Sequence, residues 1–155
     1  MQETLKMQIK EVAEITIFYH QLEASIKELE HIYQTISPKM LEDINKTGLE
    51  LSSPPFWQYT GLDGNPDTRF QLEMSFPVKE IKDYQGEFRF KKTEKFRCAM
   101  LMHYGPYDNL METYEELFSQ MKESGLTPSG GCREVYHQID GLESSFVIEV
   151  QVGYA

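Results

Sequence analysis

Ser124-Gly125-Leu126, Glu134-Val135-Tyr136 and Phe146-Val147-Ile148-Glu149-Val150 restate, in the same order, Thr47-Gly48-Leu49, Trp57-Gln58-Tyr59 and Phe70-Gln71-Leu72-Glu73-Met74. The tyrosine follows the glycine by 11 residues in both copies. The glutamate follows the tyrosine by 14 residues in the first copy and 13 in the second. A shared order at a shared spacing marks one unit written twice. It predicts two homologous halves with a pseudo-twofold cleft between them, and a phenol and an acid at equivalent positions of each half.

Upstream of the first copy, Ile9 to Tyr19 holds Val12, Ile15, Ile17 and Phe18 and reads as one strand. Leu22, Ile26, Leu29, Tyr33 and Ile36 then recur at three- and four-residue steps, which is a helical stripe. Ser37-Pro38 is expected to restart or kink that helix, with Ser as cap and Pro at the first helical position. Met40, Leu41 and Ile44 continue the apolar face as far as Gly48, a C-terminal cap. Pro54-Pro55 excludes central-sheet pairing at that point. Phe56 to Tyr59 is a short strand, and Arg69 to Val78 alternates Phe70, Leu72, Met74 and Phe76 against Gln71, Glu73 and Ser75. The second half repeats the pattern. Strands begin at Phe88 and Cys98, and Gly105-Pro106 turns the chain. A stripe of Leu110, Met111, Tyr114, Leu117, Phe118 and Met121 stops at Gly125, and strands follow at Arg133–Gln138 and Ser145–Val152. A β-α-β-β order written twice predicts an α+β fold: an antiparallel sheet arrangement with two main helices on one face and a central ligand cleft. The reading is one domain, 1–155, with halves at about 7–80 and 86–155.

Twenty-five acidic against fifteen basic residues give a net charge of −10. That balance argues against direct nucleic-acid binding, which needs Lys and Arg to displace phosphate counterions. No apolar run approaches the roughly 20 residues that span a bilayer, and the segment from Met1 to Lys6 lacks an apolar leader. Cys98 and Cys132 show no Cys-x-x-Cys spacing, so a reducing, cytoplasmic setting is expected. His20, His31, His103 and His137 are scattered without ligand spacing. No metal and no cofactor is expected.

On the last strand Phe146, Ile148, Val150 and Val152 share one face, and Val147, Glu149 and Gln151 the other. Trp57 and Tyr59 share parity on their strand, as do Glu134 and Tyr136. If Tyr136 and Glu149 face the same side, they make a carboxylate among aromatic rings. Such an acid, half removed from water, either takes up a proton or awaits a cation, and π-faces attract the same cations. It also suits a general base beside an orienting donor. Against this stands the ordinary role of a strand glutamate, a solvated residue on the open face of a sheet; Tyr59, Tyr136 and Trp57 equally serve as packing residues. His103 is equally read as a strand-end residue satisfied by nearby backbone.

These motifs carry a family likeness. Phe96 to Leu110, with His103-Tyr104-Gly105-Pro106-Tyr107 ahead of a helix, resembles the strand, His-x-Gly-Pro-Tyr, helix segment of GyrI-like effector-binding domains, a multidrug-sensing, SOUL-like tandem fold. Gly125-Leu126, Arg133-Glu134-Val135-Tyr136 and the terminal strand with Glu149 are similar to that family's further signatures. The resemblance implies a central cleft in which a strand Glu ringed by aromatics binds lipophilic cations. Carried over, the acid is Glu149 and the phenol Tyr136, with Tyr107 and His103 belonging to the motif. The first half departs from it: His20-Gln21-Leu22 replaces the Gly-Pro-Tyr turn, which leaves Glu73 as the silent twin.

The leading expectation is a stand-alone binder of lipophilic cationic or electrophilic molecules, a drug or toxin sensor, walled by Tyr136, Tyr59, Trp57 and Phe18. No helix-turn-helix is expected ahead of the fold. One alternative is a Glu149/Tyr136-dependent hydrolase of strained, cyclopropane-type natural products. Another is a partner protein of a regulator or a topoisomerase, in the manner of a gyrase inhibitor.

Overall fold

A computed structural model of the chain describes residues 5–155, so that part of the leader reading which falls on residues 1–4 lies outside the described residues. Among the described residues eight strands and two α-helices form: β1 Gln8–Val12, β2 Thr16–Ala24, α1 Leu29–Thr47, β3 Phe56–Thr60, β4 Phe70–Pro77, β5 Arg89–Lys92, β6 Phe96–Tyr104, α2 Leu110–Glu123, β7 Pro128–Gln138 and β8 Val147–Tyr154. The fold is α+β with antiparallel pairing, as the alternation predicts.

Two compact units share the chain. The first is Glu14–Glu94, and the second is Lys95–Ala155 together with the N-terminal segment through Ala13. Strands of the first run in the order β3-β4-β2-β5, and those of the second β1-β6-β8-β7. These bounds differ from the halves read in the sequence. The single strand expected over Ile9–Tyr19 is two strands, interrupted at Ala13–Ile15: β1 pairs with β6, and β2 pairs with β4 and β5. The leading strand of each copy thus joins the other copy's unit. Composition makes both runs β-formers but does not say which sheet each one completes.

α1 starts later than the apolar stripe suggests, because Leu22 and Ala24 are spent in β2. Ser25 caps the short 3-10 turn Ile26–Glu28 that leads into it, its N–H donating to Glu28 Oε1 at 3.0 Å. The helix then runs unbroken through Pro38, contrary to the expected interruption. Pro38 removes one backbone donor, but Ile32, Ser37, Met40 and Ile44 are buried on either side of it and hold the helix to its sheet. Both helices stop at glycine: Gly48 at φ 72° and Gly125 at φ 75°, where the left-handed turn lets the N–H of Leu49 donate to Ile44 O (3.0 Å) and that of Leu126 to Met121 O (2.8 Å).

The core of the first unit is Ile17, Phe18, Met40, Leu72 and Met74; that of the second is Ala99, Leu101, Leu117, Met121, Ile148, Val150 and Val152.

Candidate functional site

Register decides which side chains meet. β7 and β8 pair Glu134 with Val150, Val135 with Glu149 and Tyr136 with Ile148. Glu134 and Tyr136 therefore stand on the face of Ile148 and Val150, which α2 covers, while Glu149 points through the opposite face. The expected Glu149–Tyr136 pair does not form. Two residues directly across an antiparallel ladder share a face, and Tyr136 lies opposite Ile148, not Glu149.

The acid that Tyr136 meets is Glu134, only 2% exposed. Tyr136 donates its hydroxyl to Glu134 Oε1 at 2.7 Å, and Tyr114, reaching in from α2, donates to Oε2 at 2.6 Å. Tyr107, at the turn leading into α2, approaches Oε1 at 3.4 Å. Short O–H bonds to a carboxylate are the charge-assisted kind, about twice as strong as neutral ones. Tyr107, in the 3-10 turn Tyr107–Asn109, and Tyr114, in α2, thus reach the two oxygens of one carboxylate. Cys132, two residues before Glu134 on the same strand, contacts Tyr114 Oη at 3.9 Å. Burial, and then the charge of Glu134, push the Cys132 thiol up to about 12, against the smaller opposing effect of Tyr114.

His103 does not touch this carboxylate. Its Nδ1 meets Thr113 Oγ1 at 2.7 Å and its Nε2 meets Pro106 O at 2.8 Å, so the ring ties β6 to both the Gly105-Pro106 turn and α2.

Glu149, 5% exposed, is held otherwise. Lys10 Nζ lies 2.9 Å away, Gln151 Nε2 2.7 Å and His137 Nε2 3.0 Å. Burial is the largest single influence and pushes its carboxyl up, but Gln151, His137 and Lys10 together outweigh it and hold the group below the ordinary value. Glu73 is built alike, with Lys91 Nζ at 2.8 Å. In each case the lysine sits on the strand one beyond the intervening strand, so the two pairs act as equivalent struts across a sheet. Both sequence-repeated glutamates are thus ion-paired to a lysine.

The remaining expected wall residues belong to the first unit. Phe18 is fully buried among Tyr84, Phe88 and Phe90, at ring distances of 5.2, 5.6 and 5.2 Å. Tyr59 packs on Phe70 at 5.5 Å and Trp57 on Tyr33 at 6.3 Å. Trp57 stands nine residues after Gly48, as Glu134 does after Gly125; Ser37 stands eleven before Gly48, as Tyr114 does before Gly125. Where the first copy places a tryptophan and a helix serine, the second places a carboxylate and a helix tyrosine. That exchange of a large apolar pair member for an acid was the signal for Glu134 in the sequence. No cluster of His, Cys, Asp and Glu among the described residues could hold a metal ion. No helix among them is long and apolar enough to cross a membrane.

No curated protein sequence matches this chain. Among solved structures, the C-terminal domain of EcmrR superposes with a TM-score of 0.78 at 19% identity, covering 97% of both chains. EcmrR in its complex with DNA gives 0.81 at 18% identity over 96% of this chain, which spans only 57% of that one. SAV2435 bound to tetraphenylphosphonium gives 0.71 at 10% identity, covering 97% and 94% of the two chains. A hydrolase from Listeria innocua gives 0.65 at 12%, covering 97% and 92%. At these identities the likeness concerns the fold. The sequence itself matches the GyrI-like small molecule binding domain over residues 5–155, and the chain belongs to that family.

Proposed function

We propose that this small-molecule-binding domain takes lipophilic cations, with Glu134 as the charge that receives them and Tyr107, Tyr114 and Tyr136 as the aromatic groups around it. The observation that carries the reading is a carboxylate at 2% exposure onto which three tyrosine hydroxyls converge. Removing a carboxylate from water costs several kcal/mol, and hydroxyl donors offset part of that cost while leaving the negative charge in place. A cation brought to it gains Coulomb attraction in a medium of low dielectric, and each ring face adds about 0.5–2 kcal/mol. The tetraphenylphosphonium held by SAV2435, a protein of the same fold, supports this ligand class. Calorimetric titration with tetraphenylphosphonium tests it. Glu134→Gln is expected to weaken binding at least tenfold, about 1.4 kcal/mol; unchanged affinity refutes the assignment.

The 2.7 Å Tyr136–Glu134 bond favours a second reading, hydrolysis of a strained ring. Glu134 would take a proton from water as the water oxygen bonds to an electrophilic ring carbon and the strained C–C bond breaks. The carbanion released would take the Tyr136 proton, and Glu134 would return its own proton to Tyr136, which leaves both groups as they began. The Listeria hydrolase of this fold supports the reaction class. Ring opening of a cyclopropane electrophile, followed by mass spectrometry, should require both residues; turnover persisting in Glu134→Gln, Tyr136→Phe rules it out.

A further inference from the structure

Beyond the cation-binding reading, we infer that the first unit carries a binding site of its own for the C-terminal end of an extended peptide, which pairs with the open edge of β2 and brings its terminal carboxylate to Arg89. β5 pairs with β2 only from Thr16 to Tyr19, where Arg89 lies opposite Tyr19. From His20 to Ala24, β2 has β4 on one side and, among the described residues, no strand on the other. Alternation fixes which groups stand at that open edge. Val78 N donates to Thr16 O on the β4 side, and Thr93 N donates to Ile15 O on the β5 side. Successive residues of a strand turn their N–H and C=O to opposite sides, so the odd-numbered residues of β2 turn theirs toward β5. Gln21 is the first of these beyond the end of β5. It is placed to exchange both backbone bonds with one residue of an added antiparallel strand, the mode by which extended peptides join sheet edges.

The edge is open because the chain ahead of β5 is drawn away from it. Tyr84 donates its hydroxyl to Asp43 Oδ2 on α1 at 2.6 Å and accepts from Phe88 N at 3.3 Å. Phe88 is buried against Phe18 and His20, at ring distances of 5.6 and 5.4 Å. Lys82 Nζ donates to Gly48 O at 2.8 Å, which ties the same segment to the end of α1. This path requires glycine at 86, where a Cβ would collide with the Tyr84 hydroxyl. A cavity of about 390 Å³ lies beside β2, lined by Tyr19, His20, Gln21, Gln71, Glu87 and Arg89. Its shape selects a chain end. β5 runs antiparallel to β2, so a strand laid beside Gln21–Ala24 in the direction of β5 meets Arg89 with its C-terminus. Phe88 and Arg89 close that end and stop a strand that would run on. The last residue then lies opposite Gln21. Its N–H donates to Gln21 O, and its carboxylate accepts from Gln21 N–H and from Arg89. The Arg89 side chain is exposed, and its planar guanidinium matches a carboxylate with two parallel donors. Glu87 and Gln71 offer acceptors to a donor-bearing peptide side chain. The chain's own C-terminus is not the occupant, since Val147–Tyr154 forms β8 and Ala155 N donates to Thr127 O.

The test exposes the full chain to acetylated tetrapeptides, randomised at every position and carrying free C-terminal carboxylates, and identifies the retained peptides by mass spectrometry. Those peptides are then titrated calorimetrically. Amidation of the C-terminus should weaken each by about tenfold or more, the factor that a hydrogen bond to a charged group represents. Arg89→Gln should weaken the free acid and leave acid and amide equal. Methylation of the last peptide nitrogen, which removes the donor to Gln21 O, should weaken binding about threefold to tenfold. Gln21→Pro deletes the N–H at the open edge and spares the β4 ladder, as proline does on an edge strand; it should abolish retention. If that variant does not fold, the N-methylated peptide makes the same test on the unaltered protein. Retention of no peptide, equal binding of acid and amide, or an acid–amide difference that survives Arg89→Gln overturns the inference. Unchanged affinity of the N-methylated peptide does the same, because the edge is then not what the peptide reads. Loss of peptide binding in Glu134→Gln assigns the peptide to the Glu134 cluster and also overturns it.

Discussion

Tyr114→Phe deletes one oxygen atom and tests whether Glu134 is a buried charge supported by phenols. The ring that stacks on Phe118 at 6.3 Å remains, so apolar packing is conserved. What disappears is the 2.6 Å donor to Glu134 Oε2, along with a weak 3.9 Å contact to Cys132. A hydrogen bond to a charged group contributes about 1.5–3 kcal/mol, and an under-satisfied buried acceptor keeps its desolvation penalty. A loss of about 2 kcal/mol should lower the Tm by about 4–8 °C in a domain of this size. Urea unfolding at pH 7 in wild-type and Glu134→Gln backgrounds provides the cycle. Against the neutral amide, the same substitution should cost about half as much, because charge-assisted bonds are roughly twice as strong as neutral ones. A cost under about 0.5 kcal/mol, on the scale of an ordinary surface substitution, would refute the reasoning. So would an equal cost in both backgrounds.

Other perturbations separate scaffold from site. The Glu149 carboxyl is depressed in the fold, so its contribution to stability is present above the ordinary value of 4.5 and is lost as pH falls through the lower folded value. Glu149→Gln should flatten the acid limb of urea stability below about pH 4.5; an unchanged limb contradicts the strut. The His20 pKa is lowered as well: burial pushes it below 6.5 despite the nearby Glu87. The neutral form is favoured in the fold, so stability should fall as pH drops from 6.5 toward the lowered value, and His20→Gln should remove that slope. Burial raises the Cys98 thiol to about 11 and the Cys132 thiol to about 12. An aromatic disulfide reagent at about pH 8 should therefore label both only as fast as the protein unfolds, and rapid stoichiometric labelling of the native protein would contradict this.

The glycine-ended helical stripes and period-two strands made the α+β, antiparallel character legible in the sequence. So did the parity of Glu134 with Tyr136 and of Trp57 with Tyr59. Partnership between strands was not legible. Nothing in Ile9–Tyr19 shows that β1 and β2 serve different units, because β-propensity describes a strand and not its neighbour. The same gap misplaced the acid. Parity puts Glu149 opposite the helix face and Tyr136 on some face of its own strand, but only the register of β7 on β8 relates the two. A one-residue change in that register exchanges the faces. Pro38 was read by its local cost, and the buried residues flanking it outweighed that cost.

The central claim is that Glu134, not Glu149, anchors the ligand. Tetraphenylphosphonium titrated calorimetrically into wild type, Glu134→Gln and Glu149→Gln at pH 7 tests it most directly. The account predicts at least a tenfold loss for Glu134→Gln and near wild-type affinity for Glu149→Gln, with the latter protein less stable. Loss of binding in Glu149→Gln alongside full affinity in Glu134→Gln would contradict it.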